Sequence, residues 1–385
     1  MDSPRMNHSD TVVAVQAPAR VRAAVLVARG FGIGGWDVKY ASGALVGTNE
    51  RMAYGYFHAE AFGIDVHYSV DAPENALVKL ARLGLRAILG FDLVHAWRNR
   101  ALLLAADVIW THTESQSLAV CALLALLRPA RPPRLLLQQV WLIDRWPRLT
   151  PLHRWLYQRL LRRADLLTFH SEMNLAKART LFPGQRCELV RFGINASNPV
   201  APSATPWSGS LRVLSLGNDR HRDWPTLLQA VADTPGAELR ILSGSLPPKA
   251  AGGMANVQIG AARTQQALEE TYAWADLVVV PLKANLHASG ITVIQEAVLK
   301  GLPVITADAG GLEAYFGDDC IWYYRTGDAN ALRETIAQVR AQAQRRLEMA
   351  QRAQAHMGDA GLGSVAYARR HAELSRELLE QPALV

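Results

Sequence analysis

The chain has 385 residues, 50% of them hydrophobic and 19% charged, with a formal net charge of +7. That length and apolar content suit two ordinary domains with cores of their own and exclude a disordered chain. The longest uncharged apolar run, Leu118–Leu127, has ten residues, whereas a membrane span needs about 20.

The polar, mixed-charge stretch 1–20 lacks the apolar core of a secretory signal and reads as a disordered leader on a cytoplasmic protein. Cys121, Cys187 and Cys320 stand far apart with no C-x-x-C pair, so they read as small buried apolar residues. Residues 21–199 then alternate short apolar runs with helix-like stretches. Strands are predicted at Ala23–Ala28, Ile64–Val70, Asp107–Thr111, Arg134–Val140, Leu166–His170 and Glu188–Phe192, and helices at Asn75–Leu89, Ser115–Leu127 and Pro151–Arg163. The last of these has Thr150 to cap it and Pro151 at its first position, with Leu152, Trp155, Leu156 and Leu160 on one face.

Residues 196–210 hold three prolines and almost no charge, and a linker is placed at 200–210. A second alternating series fills 211–363. Its strands are predicted at Leu211–Leu216, Glu238–Leu242, Leu277–Pro281 and Pro303–Ala307, and its helices from Trp224, at Gln265–Ala275 and at Thr292–Lys300. Helical sequence runs over Asn330–Met357, and a final helix in 364–385 is free to pack back on the first domain. The fold class is therefore α/β, two Rossmann-like domains facing each other across a cleft. In such folds ligands bind at the carboxyl ends of the strands.

Two segments carry chemistry. Gly30, Gly32, Gly34 and Gly35 satisfy G-x-G-x-x-G directly after a strand, so a dinucleotide is one reading. Its ribose-binding acid would fall near Glu50, in a polar stretch, while the credible second strand ends at Asp71. The other reading is a glycine loop facing the cleft, with Gly34 and Gly35 toward a diphosphate. The second segment, Tyr272–Phe316, joins an apolar strand to a helix opened by Ser289-Gly290. The amides of Gly290, Ile291 and Thr292 are expected to be free for a diphosphate, with Glu296 one turn further on to accept ribose hydroxyls.

From these residues the chain resembles the nucleotide-sugar domain of GT-B glycosyltransferases, family-4-like (glycosyl transferases group 1). Ala164–Asn195 is similar to the family's last N-domain strand, helix and closing strand. Leu211–Gly217 is similar to its first C-domain strand and glycine turn. The resemblance implies phosphate contacts from Gly217, Arg220 or Arg222, although Asp223-Trp224 stands where the family has Lys-Gly. It also implies ribose binding by Glu296, the second glutamate of the family's E-x7-E. The first is replaced by Ala288, which leaves a retaining outcome unsupported.

Where family members place a histidine after the strand matched by Arg134–Val140, this chain has Gln138 to Asp144. Asp144 is either a general base for an acceptor hydroxyl or an arginine partner. His112 and Glu114, after Asp107–Thr111, are the other catalytic candidates. No Asp-x-Asp or H-E-x-x-H occurs, so no metal ligands are assigned and a metal-independent reaction is expected.

Charge is uneven. Residues 1–204 carry 24 Lys+Arg against 15 Asp+Glu, and 128–163 hold nine arginines with one acid. With Trp141, Trp146, Trp155 and Tyr157 interleaved, this stretch suits either an anionic membrane surface or an acceptor phosphate. No nucleic-acid motif accompanies it.

The resemblance implies a hexosyltransferase. It would take a UDP- or GDP-type sugar as co-substrate, with no other cofactor, and a saccharide or lipid-linked acceptor of polysaccharide or glycolipid assembly at the inner face of the cell membrane. A nicotinamide-dependent oxidoreductase and a non-catalytic sugar-nucleotide-binding protein are the alternatives.

Overall fold

The computed structural model describes residues 20–203, 205, 207 and 209–381. The leader at 1–20 falls outside these residues apart from Arg20, and the linker at 200–210 is described only in part.

Two parallel six-stranded sheets organise the chain. The first is built from β1 (Val21–Leu26), β2 (Ile64–Tyr68), β3 (Val108–Thr111), β4 (Arg134–Gln139), β5 (Leu166–Phe169) and β6 (Cys187–Leu189), in the order β2-β1-β3-β4-β5-β6. The second holds β7 (Leu211–Leu216), β8 (Ala237–Leu242), β9 (Val257–Gly260), β10 (Leu277–Val280), β11 (Val304–Ala307) and β12 (Trp322–Tyr324), in the order β12-β11-β10-β7-β8-β9. Runs such as Leu135–Leu137 and Leu277–Val280 are apolar at every position because helices cover both faces of a parallel sheet. In each sheet the strand order reverses beside the first strand, at β1/β3 and at β7/β10, and these switch points open into the cleft.

The predicted elements are present with ends shifted by a few residues; β9, β12 and helices such as Trp36–Ala41, Ala53–Phe62 and Leu93–Arg98 are additional. The helical stretch Asn330–Met357 is two helices, Ala329–Ala341 and Ala343–Asp359, broken at Gln342. The helix Pro151–Leu161 starts as read, with Thr150 Oγ1 accepting from the His153 amide at 3.2 Å. Its apolar stripe is divided: Leu160 is buried, while Leu152 and Trp155 face solvent.

The last helix, Ser364–Glu380, crosses back to the first domain. Tyr367, Ala372 and Leu374 join the core on one face of the first sheet, and Trp110 Nε1 donates to Ser375 Oγ at 2.9 Å. Further contacts shut the cleft. Ser171 Oγ donates to the Gly310 carbonyl, Gln295 Nε2 donates to the Phe192 carbonyl, and Tyr315 Oη links the Phe192 amide to the His170 carbonyl.

Candidate active site

The C-domain side of the cleft is assembled at the β7/β10 switch point. β7 ends at Gly217, whose φ of +132° and lack of a side chain admit the Arg222 guanidinium; a Cβ there would lie 2.5 Å from it. Arg222 is buried, donates to the Leu216 carbonyl at 2.9 Å and reaches Ser289 Oγ at 3.4 Å. Burial lowers its pKa to about 10, which leaves it charged at neutral pH. Arg220 is exposed on the same loop.

β10 leads through residues 281–290 to the helix Ile291–Leu299. Gly290 caps that helix at φ +85°, and a Cβ on it would lie 2.7 Å from Val280 and 3.1 Å from Arg222. The Ile291 amide, expected to be free, donates to the Ala288 carbonyl at 3.2 Å because Ala288 is left-handed (φ +53°) and closes a turn. The amides of Gly290, Thr292 and Val293 have no acceptor among the described residues. These donors, the helix dipole and Arg222 form a place for an anion.

Glu296 lies within the same helix. Its carboxylate accepts from Tyr272 Oη at 3.1 Å and from the Thr48 amide at 2.9 Å, while the Gly47 amide donates to Gln265 Oε1. The N-domain loop 44–49 thus lies over it. A carboxylate has about four acceptor positions, so two remain for other donors.

Asp144 reaches across the cleft instead of pairing with an arginine. Its Oδ1 accepts from the Leu286 amide at 2.9 Å, and its Oδ2 lies 2.8 Å from His287 Nδ1. His287 Nε2 faces Asp219 Oδ2 at 3.3 Å, and Asp219 also accepts from Ser289 Oγ at 2.8 Å and from the His221 amide at 2.9 Å. Burial opposes charge on His287, yet the two carboxylates outweigh it and its pKa is raised. For Asp219 burial acts upward, but hydrogen bonds from His287, the His221 amide and Ser289 together hold it well below the usual carboxylate range. With a carboxylate at each ring nitrogen, His287 favours its protonated form and links the two domains, and no sequence motif marks it. Its donor atoms and those of Asp144 and His221 lie within 4.8 Å of one another, a set able to hold a transition metal. Asp144 and His287 are joined by a hydrogen bond, while His221 meets the His287 ring edge-on with 4.8 Å between centroids.

The remaining candidates are engaged by their own domain. Glu114 accepts from the Trp141 amide at 3.2 Å and faces Arg145 at 3.7 Å, so it braces the turn that carries Asp144. His112 is buried, stacked on Tyr54 with 3.3 Å between ring centroids, and its Nδ1 pairs with Tyr56 Oη at 3.0 Å. Burial, with His170 and His371 nearby, drives its pKa well below 6.5, which makes it a weak proton acceptor.

The glycine loop is corrected. Its amides are directed to acceptors inside the N-domain: Gly30 and Gly32 to Asp71 Oδ2 at 2.9 and 3.2 Å, Gly34 to Asp37 Oδ1, and Gly35 to the Gly32 carbonyl. The anion held by this loop is the chain's own Asp71, so Gly34 and Gly35 offer no amide to a diphosphate. Glu50, the only acid at dinucleotide spacing, is paired with His58 at 2.6 Å and with Ser364.

No family model matches the chain, and no curated protein matches it. Solved structures do. The chain is similar to sucrose-phosphate synthase from Thermosynechococcus elongatus, with 19% identity over 93% of this chain and 99% of that one, at a TM-score of 0.71. It is also similar to Anabaena HepE in complex with UDP and glucose (18% identity, 92% and 99% covered, TM-score 0.63). The chain has the GT-B fold. Another GT-B structure like it is the lipopolysaccharide outer core galactosyltransferase WaaB, at 13% identity over 92% of this chain and 100% of that one, with a TM-score of 0.58. At such identities the likeness covers the arrangement of the two domains, and the site is argued from the residues above.

Proposed function

We propose that this protein is a glycosyltransferase that moves a hexose from a UDP- or GDP-linked donor to a hydroxyl of a saccharide or lipid-linked saccharide. The observation that carries this reading is the convergence of buried Arg222, Ser289 and the free amides of Gly290, Thr292 and Val293 at one switch point, with Glu296 on the same helix. UDP and glucose in the HepE structure support a nucleotide-sugar donor.

In the proposed reaction the acceptor oxygen bonds to the anomeric carbon, and the bond from that carbon to the diphosphate breaks. The diphosphate leaves with the electron pair, and the hydroxyl proton passes to a base on the N-domain side. Arg222, with Arg220 at the mouth, and the helix amides hold the departing charge. His287, held between Asp144 and Asp219 three hydrogen bonds from Arg222, offsets the negative charge of those carboxylates beside the anion place. Asp144 is the candidate base, since each of its oxygens keeps a second acceptor position beside its bond to Leu286 or His287.

The test is titration with UDP and GDP, followed by turnover of the matching sugar nucleotides with saccharide acceptors. Binding of neither nucleotide would refute the reading. Binding without turnover of any donor would favour a non-catalytic sugar-nucleotide-binding protein. The oxidoreductase alternative is disfavoured because Asp71 occupies the glycine loop, and NADH titration checks it.

A further inference from the structure

The helix Ala76–Leu89 is built inside out. A surface helix normally turns its leucines to the core and its arginines to water. Here Arg82 is the only buried residue, fixed by Glu74 at 2.9 and 3.0 Å and by Asp92 at 2.8 Å. Leu77, Leu80 and Ile88 are 78%, 70% and 71% exposed, and their spacing puts them on one outward stripe. Leu83 is exposed beside them. The helix is anchored by a buried charged residue and, at its end, by Leu89 on the core, and its outward apolar stripe is left without a partner among the described residues.

The stripe continues onto a neighbour. His153 Nε2 pairs with the Ile88 carbonyl at 2.9 Å and Tyr157 Oη donates to the Leu89 carbonyl at 2.8 Å, which docks the helix Pro151–Leu161 alongside. That helix adds Leu152 and Trp155, 69% and 59% exposed. The exposed charges here have one sign: Arg159 stands one turn after Trp155, Arg148 precedes the second helix, Lys79 and Arg86 lie on the flank of the first helix away from Leu77, and no acid lies between Ala76 and Leu89.

We infer that these two helices are a docking face for an anionic lipid bilayer. Leu77, Leu80, Ile88, Leu152 and Trp155 enter the boundary between headgroups and acyl chains, and the lysine and arginines meet the lipid phosphates. Apolar side chains flanked by basic ones on a helix lying in the surface plane are what such an interface recognises. No helix among the described residues is long and apolar enough to cross a membrane, so this attachment is peripheral. Asn75, which caps the first helix, follows soon after Asp71, the carboxylate held by the glycine loop, so docking brings the mouth of the N-domain close to the lipid surface. Delivery of a lipid-linked acceptor there rests on the proposed function; the docking itself does not.

Co-sedimentation of the full chain with phosphatidylglycerol-containing vesicles and with pure phosphatidylcholine vesicles tests this. Binding to the anionic vesicles is expected, weakening as salt rises, with little binding to the neutral ones. The triple variant Leu77→Ser, Leu80→Ser, Ile88→Ser is expected to lose at least about tenfold in anionic-vesicle affinity. Its UDP or GDP affinity should be unchanged, so a failure of docking is separable from a failure of the nucleotide site.

A positive reading comes from Leu80→Cys carrying a polarity-sensitive dye, which reports that position alone because the three native cysteines are buried. Its emission should shift to the blue on anionic vesicles only. Wild-type protein that ignores anionic vesicles, a triple variant that binds them undiminished, or a dye that does not shift would each overturn the inference. So would a wild-type dimer that the triple variant converts to monomer without any vesicle binding, since a second copy would then cover the face.

Discussion

Arg222 and Arg220 are two residues apart on one loop, yet the fold treats them differently. Arg222 is buried between Gly217 and Gly290 and aimed at Ser289, whereas Arg220 is exposed. Arg222→Ala is expected to weaken nucleoside-diphosphate binding by about 1.5–3 kcal/mol, the scale of a hydrogen bond to a charged group, and to leave nucleoside binding nearly unchanged. Arg220→Ala should have a smaller effect, since an exposed charge is screened by water and salt. Calorimetric titration with UDP and with uridine (or GDP and guanosine) checks both.

Glu296→Ala should weaken both the diphosphate and the nucleoside by a similar amount, about 1.5–3 kcal/mol. If the diphosphate alone suffers, the carboxylate is not at the ribose.

At the scale of elements, the glycine-rich turn after β1 shows how one motif serves two purposes. Its glycines allow close approach, but to the β2 end of the chain itself. A Cβ on Gly32 would lie 2.1 Å from the Ser69 carbonyl oxygen, a backbone atom with little room to move. Gly32→Ala is therefore expected to destabilise the protein by about 1–3 kcal/mol, the range for overpacking, or more if β2 must shift. Nucleotide affinity of the folded fraction should be unaffected. Urea unfolding and UDP or GDP titration of the same variant separate this from a phosphate-binding loop, whose substitution would cost affinity. The turn before the helix Ile291–Leu299 is the opposite case. Its Gly290, Thr292 and Val293 amides meet no acceptor among the described residues and stay available.

For the whole molecule, closure of the two domains is tied to protonation. The Asp144–His287–Asp219 chain is strongest while His287 carries its proton, beside contacts that do not titrate such as the Leu286 amide on Asp144 and Ser171 on the Gly310 carbonyl. Because closure raises the His287 pKa, its contribution is complete below the ordinary histidine value of about 6.5 and is lost as pH rises through the raised value. Small-angle scattering should show a radius of gyration that increases over that alkaline window. In His287→Gln the step should vanish.

Charge neutralisation by arginines, His287 and a helix end also predicts that turnover survives EDTA. Activity abolished by chelation and restored by Mg²⁺ or Mn²⁺ would contradict it. Restoration by Zn²⁺ alone would point to the Asp144, His221 and His287 donors.

Strands, helices and the two-sheet α/β plan are readable along the chain, because apolar runs and capping residues such as Thr150 and Pro151 act within a few residues of themselves. The proposed nucleotide side of the cleft is equally local: Ser289, Gly290 and Glu296 belong to one strand-to-helix passage. What the glycine loop binds, what Asp144 meets and which way Ala76–Leu89 faces are different matters. Asp71 lies 41 residues beyond Gly30, and Asp144 lies 143 residues before His287. The inverted helix depends on where Glu74 and Asp92 come to rest around Arg82. A carboxylate takes the best donors within its reach, and folding alone decides which donors those are. Sequence by itself therefore determined the framework and the turn of the second domain proposed to bind an anion. The tertiary structure decided which charges neutralise one another and which are left free to meet a ligand.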